Sequence, residues 1–213
     1  MIEVEKFVFN PFQENTYLLY DNSKECVVID AGCYSDEDFD QIFNYISSHN
    51  LKLVKLINTH GHIDHIMGLP RLSEHFNLIA EFHKEELYLI NQAVEQGKIF
   101  GINLIAFPKI NTSLQENTDV TFGHSILKVL HVPGHTKGSV AFVSESDKFI
   151  ITGDVLFKGS IGRTDLSGGD FNILMNSITN KLLKFNDDFL IYPGHGPSST
   201  IGEEKVSNPF LIS

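Results

Sequence analysis

Three histidines and one aspartate lie within six positions of the sequence, in the stretch INTHGHIDHIMG. His60 and His62 are two residues apart, so an extended or turning backbone can present both imidazoles on one side. Asp64 and His65 follow one tight turn later and can face a neighbouring point. Imidazole nitrogens and carboxylate oxygens are the ligands that Zn²⁺ and similar divalent cations prefer. This stretch therefore predicts half of a metal site.

Three more side chains of the same kind follow predicted strands later in the chain. His135 lies in the turn HVPGHTKG, Asp154 follows the apolar run of IITGDV, and His195 lies in IYPGHGP. Loops that rise from a rigid sheet are where binding sites are usually built. We therefore predict that these three side chains converge with the first cluster on one rim. Neither cysteine takes part, so a catalytic site that keeps a bound water is favoured over a closed structural site.

Each of these residues also has a structural interpretation when it is taken alone. A single histidine at a strand end is usually just hydrogen-bonded, and Asp154 after Thr-Gly could simply form a turn. The metal hypothesis therefore depends on the whole set. The other histidines are interpreted as structural, although His131, four residues before His135, could instead hold a ligand in place. This structural group is His49, His75, His83, His124 and His131.

The elements that must position these side chains alternate between strands and helices. Two β-rich runs around the turn DNSKE predict a hairpin, and LKLVKLINTH predicts a strand that ends at His60. Ser35 and three acidic residues are typical of a helix start. The inward positions of that helix are Phe39, Ile42, Phe43 and Ile46.

The rest of the chain follows the same pattern. Strands are predicted in SILKVLHVP, SVAFVS, KFIITGDVLF and FLIYPGH, and helices in MGLPRLSEHF, KEELYLINQAVEQG and DFNILMNSITNKLLKF. The inward residues of the last two helices are predicted to be Leu87, Ile90 and Val94, with Gly97 as a stop, and Phe171, Leu174, Met175, Ile178 and Leu182. Residues 98–118 show no clear period, which predicts an irregular segment; that it covers the substrate is one hypothesis. Two such halves can pack sheet on sheet with helices outside, so residues 1–213 are predicted to form a single α/β domain.

Composition restricts the class of partner. The chain of 213 residues has 16 Lys and Arg against 27 Asp and Glu, a net charge of −11, which argues against a nucleic-acid or anionic-membrane partner. Cys26 and Cys33 form no CxxC pair, which argues against thiol chemistry and favours a reducing compartment. The N-terminus has no basic and apolar leader pattern, and no apolar run approaches membrane-spanning length. A cytoplasmic protein with a small-molecule partner is expected, and its oligomeric state is left open.

The pattern H-x-H-x-D-H, followed in order by PGHT, TGD and PGHGP, resembles the metallo-β-lactamase superfamily. Within it, TGDVLFKGSIGRTDL and PGHGPSSTIGEEKVSNPF are similar to the glyoxalase II (hydroxyacylglutathione hydrolase) branch, in its short bacterial type. This resemblance runs through essentially the whole chain. It implies a four-layer αβ/βα sandwich of two mixed β-sheets with helices on the outer faces, and a dinuclear metal centre at one edge.

The resemblance also implies how the ligands are shared. One metal would be held by His60, His62 and His135, the other by Asp64, His65 and His195, with Asp154 bridging. Zinc is the first expectation, and members of this branch also carry iron or manganese.

The chemistry implied is hydrolysis of a thioester or ester by a metal-bridging hydroxide, with Asp154 holding the centre and Asp64 orienting or relaying the proton. Two dications, two carboxylates and one hydroxide leave a net charge of about +1, which suits an anionic substrate. A thiolate leaving group needs little protonation, so no separate general acid is required.

Substrate binding is predicted at two basic residues. Arg163 stands near a position where long glyoxalase II enzymes hold glutathione, and Lys158 lies close by in sequence. Arg163 could instead form a structural salt bridge to Asp165 or Asp170. The tyrosine of the long enzymes is not matched, since Gly196 and Pro197 follow His195, and their helical domain is not expected after Ser213. Glutathione as the thiol is therefore left open.

Other functions on this pattern are kept as alternatives. A persulfide dioxygenase would use only His60, His135 and Asp154 for a single iron, and it shares the GRTD segment. A binding protein that has lost catalysis would keep the fold without the metal. β-Lactam hydrolysis is disfavoured because Asp154 stands where the commonest β-lactamases have cysteine and no export signal is expected. Nuclease activity is disfavoured by the acidic balance, and nothing marks a lactonase.

Overall fold

The computed structural model describes residues 1–99, 101–102, 104 and 109–212. Its first sheet has six strands in chain order: Glu3–Phe9 (β1), Glu14–Tyr20 (β2), Glu25–Ile29 (β3), Lys52–Ile57 (β4), Ala80–Glu81 (β5) and Ile110–Asn111 (β6). The first three strands pair antiparallel, as the predicted hairpin around DNSKE requires. From β3 to β6 the pairing is parallel, so this sheet is mixed.

Eight further strands form a second sheet and a small hairpin. They are Asp119–Phe122 (β7), Ser125–His131 (β8), Val140–Ser144 (β9), Phe149–Gly153 (β10), Leu156–Phe157 (β11), Ser160–Ile161 (β12), Leu190–Pro193 (β13) and Ser199–Thr200 (β14). The second sheet has six strands, in the order β14-β13-β10-β9-β8-β7. Its strand β10 pairs parallel with β13 and antiparallel with β9, so this sheet is mixed as well. The antiparallel hairpin β11–β12 follows β10 in the chain.

Six α-helices and three short 3₁₀ turns connect the strands in the described part of the chain. The helices are Asp36–Ser48 (α1), Leu69–Phe76 (α2), Leu87–Ile90 (α3), Ala93–Ile99 (α4), Phe171–Asn180 (α5) and Ile201–Ser207 (α6). The 3₁₀ turns are Ile63–His65, Lys84–Glu86 and Leu182–Lys184. None of the helices in these residues is long and apolar enough to cross a membrane.

Side-chain alternation along β2 places one apolar set between the two sheets and another beneath the helices. Tyr17 and Leu19 point into the core between the sheets, where they meet Phe142 and Ile151 of the second sheet. Leu18, between them in sequence, points to the opposite face and packs with the α1 side of the molecule. Because both faces of β2 are covered, its apolar residues are buried without interruption.

Helices cover both outer faces of this pair of sheets. Helix α1 begins as predicted: Ser35 accepts from the backbone N–H of Asp38, and the Asp38 side chain accepts from the backbone of Ser35. Its residues Phe39 and Ile42 pack on the first sheet. On the other side, α5 packs on the second sheet. The expected four-layer sandwich, with two mixed sheets and outer helices, is therefore confirmed.

Four predictions about two of the helical stretches were wrong. The stretch KEELYLINQAVEQG is not one helix but a 3₁₀ turn followed by α3 and α4, and Leu87, predicted to face inward, is 38% exposed. The buried neighbour is Glu86, whose carboxylate binds distant backbone groups. Gly97 lies inside α4 instead of ending it. Phe171 is 51% exposed because it is the first residue of α5 and the core contacts begin one turn later, at Leu174.

The irregular segment predicted at residues 98–118 falls partly outside the described residues. Ile99 ends α4, Ile110 and Asn111 form β6, and Leu114 packs between the sheets. The hypothesis that the segment covers the substrate concerns residues 100, 103 and 105–108 as well, which lie outside the described part, and it stays a hypothesis.

Candidate metal centre

The predicted ligands all follow the carboxyl ends of strands. His60 comes three residues after β4, and His135 comes four residues after β8. Asp154 follows β10 directly, and His195 comes two residues after β13. Since β8, β10 and β13 run in the same direction, their ends meet at one edge of the second sheet. The structure brings all seven predicted side chains together at this edge.

A short 3₁₀ turn separates the two halves of the first motif. His62 has an extended backbone, and the turn Ile63–His65 begins directly after it. The side-chain amide of Asn58 donates to the carbonyl of His65 (2.9 Å), and that of Asn10 donates to the carbonyl of Asp64 (2.9 Å). These two bonds fix the turn, so that His62 faces one cluster while Asp64 and His65 face the next.

The first cluster consists of three imidazole nitrogens. His62 Nδ1 lies 3.1 Å from His60 Nε2 and 2.9 Å from His135 Nε2. Every ligand atom of the three is within 4.8 Å of the others. Three nitrogens that converge in this way, with space on the remaining side, form the open half-shell that a catalytic divalent metal uses.

The second cluster combines one carboxylate and two imidazoles. Asp64 Oδ2 lies 3.2 Å from His195 Nε2 and 3.7 Å from His65 Nε2. The Nε2 atoms of His65 and His195 are 3.3 Å apart. This is a second complete set of three metal-type ligands, adjacent to the first.

Asp154 lies between the two clusters. Its Oδ2 is 3.7 Å from His135 Nε2 in the first cluster and 3.5 Å from His195 Nε2 in the second. Its Oδ1 lies 3.4 Å from His65 Nε2, is buried, and has no hydrogen-bond partner within the described chain. An unpaired buried carboxylate oxygen is costly unless a cation satisfies it.

The far nitrogens of the histidines fix their tautomers. His135 Nδ1 donates to the carbonyl of Arg163 (2.8 Å), and His195 Nδ1 donates to the carbonyl of Phe12 (3.1 Å). A histidine that donates from Nδ1 to a carbonyl presents the Nε2 lone pair to the metal. Both rings are therefore oriented with Nε2, the atom that would bind a metal, toward the clusters. His62 is the exception, because its Nδ1 is the atom that faces the cluster.

Asp30 orients one histidine from each cluster. Its Oδ2 accepts from the hydroxyl of Thr59 (2.6 Å) and from His65 Nδ1 (3.0 Å), and its Oδ1 accepts from the backbone N–H of Thr59 (2.7 Å). Because the Thr59 hydroxyl donates to Asp30, it must accept from His60 Nδ1, 3.0 Å away. Sequence reasoning missed Asp30. The available signal was its position directly after the apolar strand β3, which is the same position that singled out Asp154 after β10.

Glu86 joins the loops that carry the first cluster. Its Oε2 accepts from the backbone N–H of Gly61 (2.7 Å), between His60 and His62. Its Oε1 accepts from the Thr136 hydroxyl and the Gly138 backbone N–H, both at 2.7 Å, in the turn that holds His135. Complete burial raises the pKa of this carboxyl, although the three donors oppose the shift. Sequence reasoning missed Glu86 as well, because its sequence context indicated only an ordinary helix.

The charges at the two clusters differ. Burial, together with the imidazoles of His65 and His62, holds the pKa of His60 well below its usual range. Burial and the neighbouring His135 lower the pKa of His62 to about 3. Both are therefore neutral, which is the form that binds metals.

In the second cluster the carboxylates dominate. Burial lowers the pKa of His195, but hydrogen bonds to Asp154 and Asp64 outweigh it and raise the pKa to about 10. The carboxylates therefore draw positive charge to this end of the site. The donor types, the fixed tautomers and the unpaired oxygen of Asp154 all fit divalent metal.

His131 supports the His135 turn through the backbone. Its Nε2 donates to the carbonyl of Lys137 (2.9 Å), and its ring stacks on that of His83 with centroids 4.3 Å apart. His131 therefore contacts the turn that carries a ligand without touching the ligand itself.

Cys26 and Cys33 are both buried, and burial raises the pKa of Cys26 to about 12 and that of Cys33 well above its usual range. Neither thiol is poised as a nucleophile.

A pocket of about 750 Å³ opens over the site. Its floor includes the side chains of His62, Asp64 and Asp154. Arg163 lies on its wall, and its Nε and Nη2 donate to the carboxylate of Asp165, at 2.8 and 2.7 Å.

Lys158 forms a salt bridge with Glu203 at 2.8 Å and is not among the described residues that line the pocket. The salt bridge foreseen for Arg163 is thus made with Asp165, whereas Asp170 caps α5. The substrate roles of Arg163 and Lys158 stay predictions.

Comparison with known proteins agrees with the fold. Residues 9–195 match the family model of the Metallo-beta-lactamase superfamily. The chain is 38% identical to hydroxyacylglutathione hydrolase GloC of Haemophilus influenzae over 214 residues, which cover 100% of this chain and 99% of that protein. Among solved structures, BLEG-1 B3 metallo-beta-lactamase has a TM-score of 0.89 at 33% identity, covering 99% of this chain and 100% of that one. TTHA1623 in a di-iron-bound form has a TM-score of 0.87 at 33% identity, covering 98% and 100%. The chain therefore belongs to the metallo-beta-lactamase superfamily.

Proposed function

We propose that this protein hydrolyses thioesters of the S-2-hydroxyacylglutathione kind with two divalent metal ions. The observation that carries the proposal is the pair of adjacent three-ligand clusters with the Asp154 carboxylate between them. One ion would be held by His60, His62 and His135, the other by Asp64, His65 and His195, and Asp154 would be shared. Zinc is the first choice, with iron and manganese as alternatives.

Two findings support this choice. The GloC relative is named as a hydroxyacylglutathione hydrolase, and the TTHA1623 relative is described in a di-iron-bound form. The second cluster is also as complete as the first, which favours two ions over one. A persulfide dioxygenase with a single iron, the alternative foreseen from sequence, would leave four of the seven side chains without a ligand role: His62, Asp64, His65 and His195.

When bound, the two ions would supply hydroxide at neutral pH and polarise the substrate carbonyl. The chain's own part is positioning and proton handling. Asp64 lines the pocket with its Oδ2 beside His195, so it can hold the proton that the nucleophilic water loses. The thiolate of a thioester departs without a proton donor, because its conjugate thiol has a pKa of about 8.5. Asp64 as the single proton acceptor is therefore sufficient for this substrate class.

β-Lactam hydrolysis is a second candidate, favoured by the similarity to BLEG-1 B3 metallo-beta-lactamase. The nucleophile would be the same, but the leaving group would be an amine, which needs a proton as the C–N bond breaks. A β-lactam substrate therefore requires a proton donor near the metals, which a thioester does not.

The test combines metal analysis with thiol release. We expect two metal ions per chain by elemental mass spectrometry and rapid thiol release from S-lactoylglutathione, with much slower opening of a chromogenic β-lactam. One iron per chain without thiol release would favour persulfide oxidation instead. Two metals with β-lactam opening and no thiol release would favour the second candidate.

A further inference from the structure

The wall of the pocket above the metal floor is largely apolar. One group of apolar side chains comes from the hairpin β11–β12 and the loop after it, and another from the segment between β4 and β6. They are Phe157, Ile161, Leu166, Ile63, Leu89 and Ile99. The Phe157 ring lies 6.3 Å from the His195 ring, so the apolar wall begins directly beside a predicted metal ligand.

Part of this apolar surface is open to solvent. Ile99 is 80% exposed and Leu166 is 40% exposed, and both lie at the pocket. Large aliphatic side chains that stay exposed around a concave site are typical of surfaces that a ligand covers. The hydrophobic effect therefore favours binding of a substrate whose surface near the reacting bond is apolar.

The charged residues of the pocket wall also favour an apolar substrate. Arg163 is the single lysine or arginine on the pocket wall among the residues that the structure describes, and Asp165 binds it through two nitrogens. Glutathione carries two carboxylates, and this wall offers them at most one cation, which already has a partner.

We propose that the thioester substrate carries an apolar arm, an aromatic or branched aliphatic group next to the scissile bond, which packs against Phe157 and Leu166. The inference rests on the proposed thioesterase function. The arm could belong to the acyl group or to the thiol, and substrates that vary one side at a time distinguish the two.

The first experiment measures kcat/KM of the metal-loaded protein. S-mandeloylglutathione differs from S-lactoylglutathione by a phenyl group in place of methyl, with the thiol unchanged. The lactoyl thioester of benzyl mercaptan keeps the acyl group and replaces glutathione by an apolar thiol. After correction for each ester's rate with hydroxide, we expect at least one apolar substrate to exceed S-lactoylglutathione by about tenfold or more, the range for added apolar groups in a hydrophobic pocket.

Matched variants link the preference to the wall. Leu166→Ser removes an apolar side chain that is 40% exposed at the pocket, and Leu190→Ser removes one that is 41% exposed on β13, away from it. We expect Leu166→Ser to reduce several-fold the ratio of kcat/KM for the apolar-arm substrate to kcat/KM for S-lactoylglutathione. Leu190→Ser should keep the preference.

A binding measurement tests the same inference without turnover. Calorimetry on the metal-loaded protein compares mandelate with lactate, and we expect tighter binding of mandelate with a more negative heat-capacity change, the mark of apolar burial. Equal kcat/KM across the series, or equal effects of the two leucine variants, would overturn the inference, and equal binding of mandelate and lactate would overturn it for an arm on the acyl group. If no thioester is hydrolysed but mandelate is preferred and Leu166→Ser removes the preference, the apolar arm stands and the thioesterase proposal fails.

Discussion

At the scale of single residues, Asp154 is the carboxylate that faces both clusters. Asp154→Asn keeps the size of the side chain but removes its charge. We expect the variant to lose at least one metal ion per chain and to lose more activity than the roughly 10- to 100-fold typical of residues that only support a ligand. Elemental analysis and thiol release measure both effects, with Asp119→Asn, an exposed change on β7, as the control. Full metal content with retained turnover would contradict a shared ligand.

Arg163 is a predicted substrate-binding residue whose guanidinium is exposed and already paired with Asp165. Arg163→Ala should raise KM for an anionic thioester with little change in kcat, whereas Asp165→Asn should lower KM by freeing the cation. Exposed ion pairs contribute little because solvent screens them, so each change should stay within about fivefold. Steady-state kinetics on S-lactoylglutathione decide the matter. An unchanged KM in both variants would make the pair purely structural.

At the scale of elements, Glu86 holds the loop after β4 against the loop after β8. Glu86→Gln leaves one acceptor oxygen for donors on both sides and turns an amide N–H toward a backbone N–H. Since leaving a buried donor unsatisfied costs about 1–3 kcal/mol, we expect a loss of that size in the free energy of unfolding. We also expect weaker binding at the first cluster, His60, His62 and His135, than at the second. Denaturant titration and metal titration measure the two effects, and equal weakening at both clusters would contradict this assignment.

Asp21 connects turns of the two sheets at the end of the sandwich away from the metal site. It accepts from the backbone N–H of Ser23 (2.9 Å) and of His124 (2.7 Å) and from the Ser125 hydroxyl (2.8 Å). Burial raises the pKa of this carboxyl, but the hydrogen bonds outweigh burial and leave it well below its usual range. A lowered folded-state pKa stabilises the fold fully above the unfolded value of about 3.9. The contribution is lost as the pH falls from there through the folded-state pKa.

The consequence is a pH-dependent effect of Asp21→Asn. We expect the variant to be less stable than the natural chain by about 1–3 kcal/mol at pH 7, because donors lose their acceptor. The difference should shrink below about pH 4, because only the natural chain must give up a stabilising carboxylate there. Urea unfolding of both proteins at pH 7 and pH 3 measures it. A difference that does not change with pH would show that the charge of Asp21 is unimportant.

At the scale of the whole molecule, the site joins the two halves of the sandwich. His60 and His65 follow the first sheet, whereas His135, Asp154 and His195 follow the second. Bound metal should therefore stabilise the packing of one half on the other. Metal at one hundred times its Kd adds about 2.7 kcal/mol, so chelation should lower Tm by about 5–10 °C for a chain of this size. Calorimetry with and without chelator tests this, with Asp154→Asn as the control that should respond less.

Local features of the sequence were enough to predict much of the fold and of the candidate site. Ser35 and its acidic neighbours predicted the start of α1, because a cap and its partner lie within one turn. Side chains that follow apolar strands were predicted to converge on one rim, and the structure brings them together there. That they bind two metals, and that residues 1–213 are one domain, stay predictions.

Residue types and strand-end positions in the sequence predict a metal-binding site, because both are local properties. The groups that surround this site depend on the tertiary structure. Glu86 is 52 residues from Gly138, and Asp30 is 35 residues from His65, so neither hydrogen bond has a local sequence signal. The same holds for the apolar pocket wall, where Leu89 and Leu166 line one pocket only after the two halves have packed. Contacts of this kind depend on long-range burial, which no short stretch of sequence encodes.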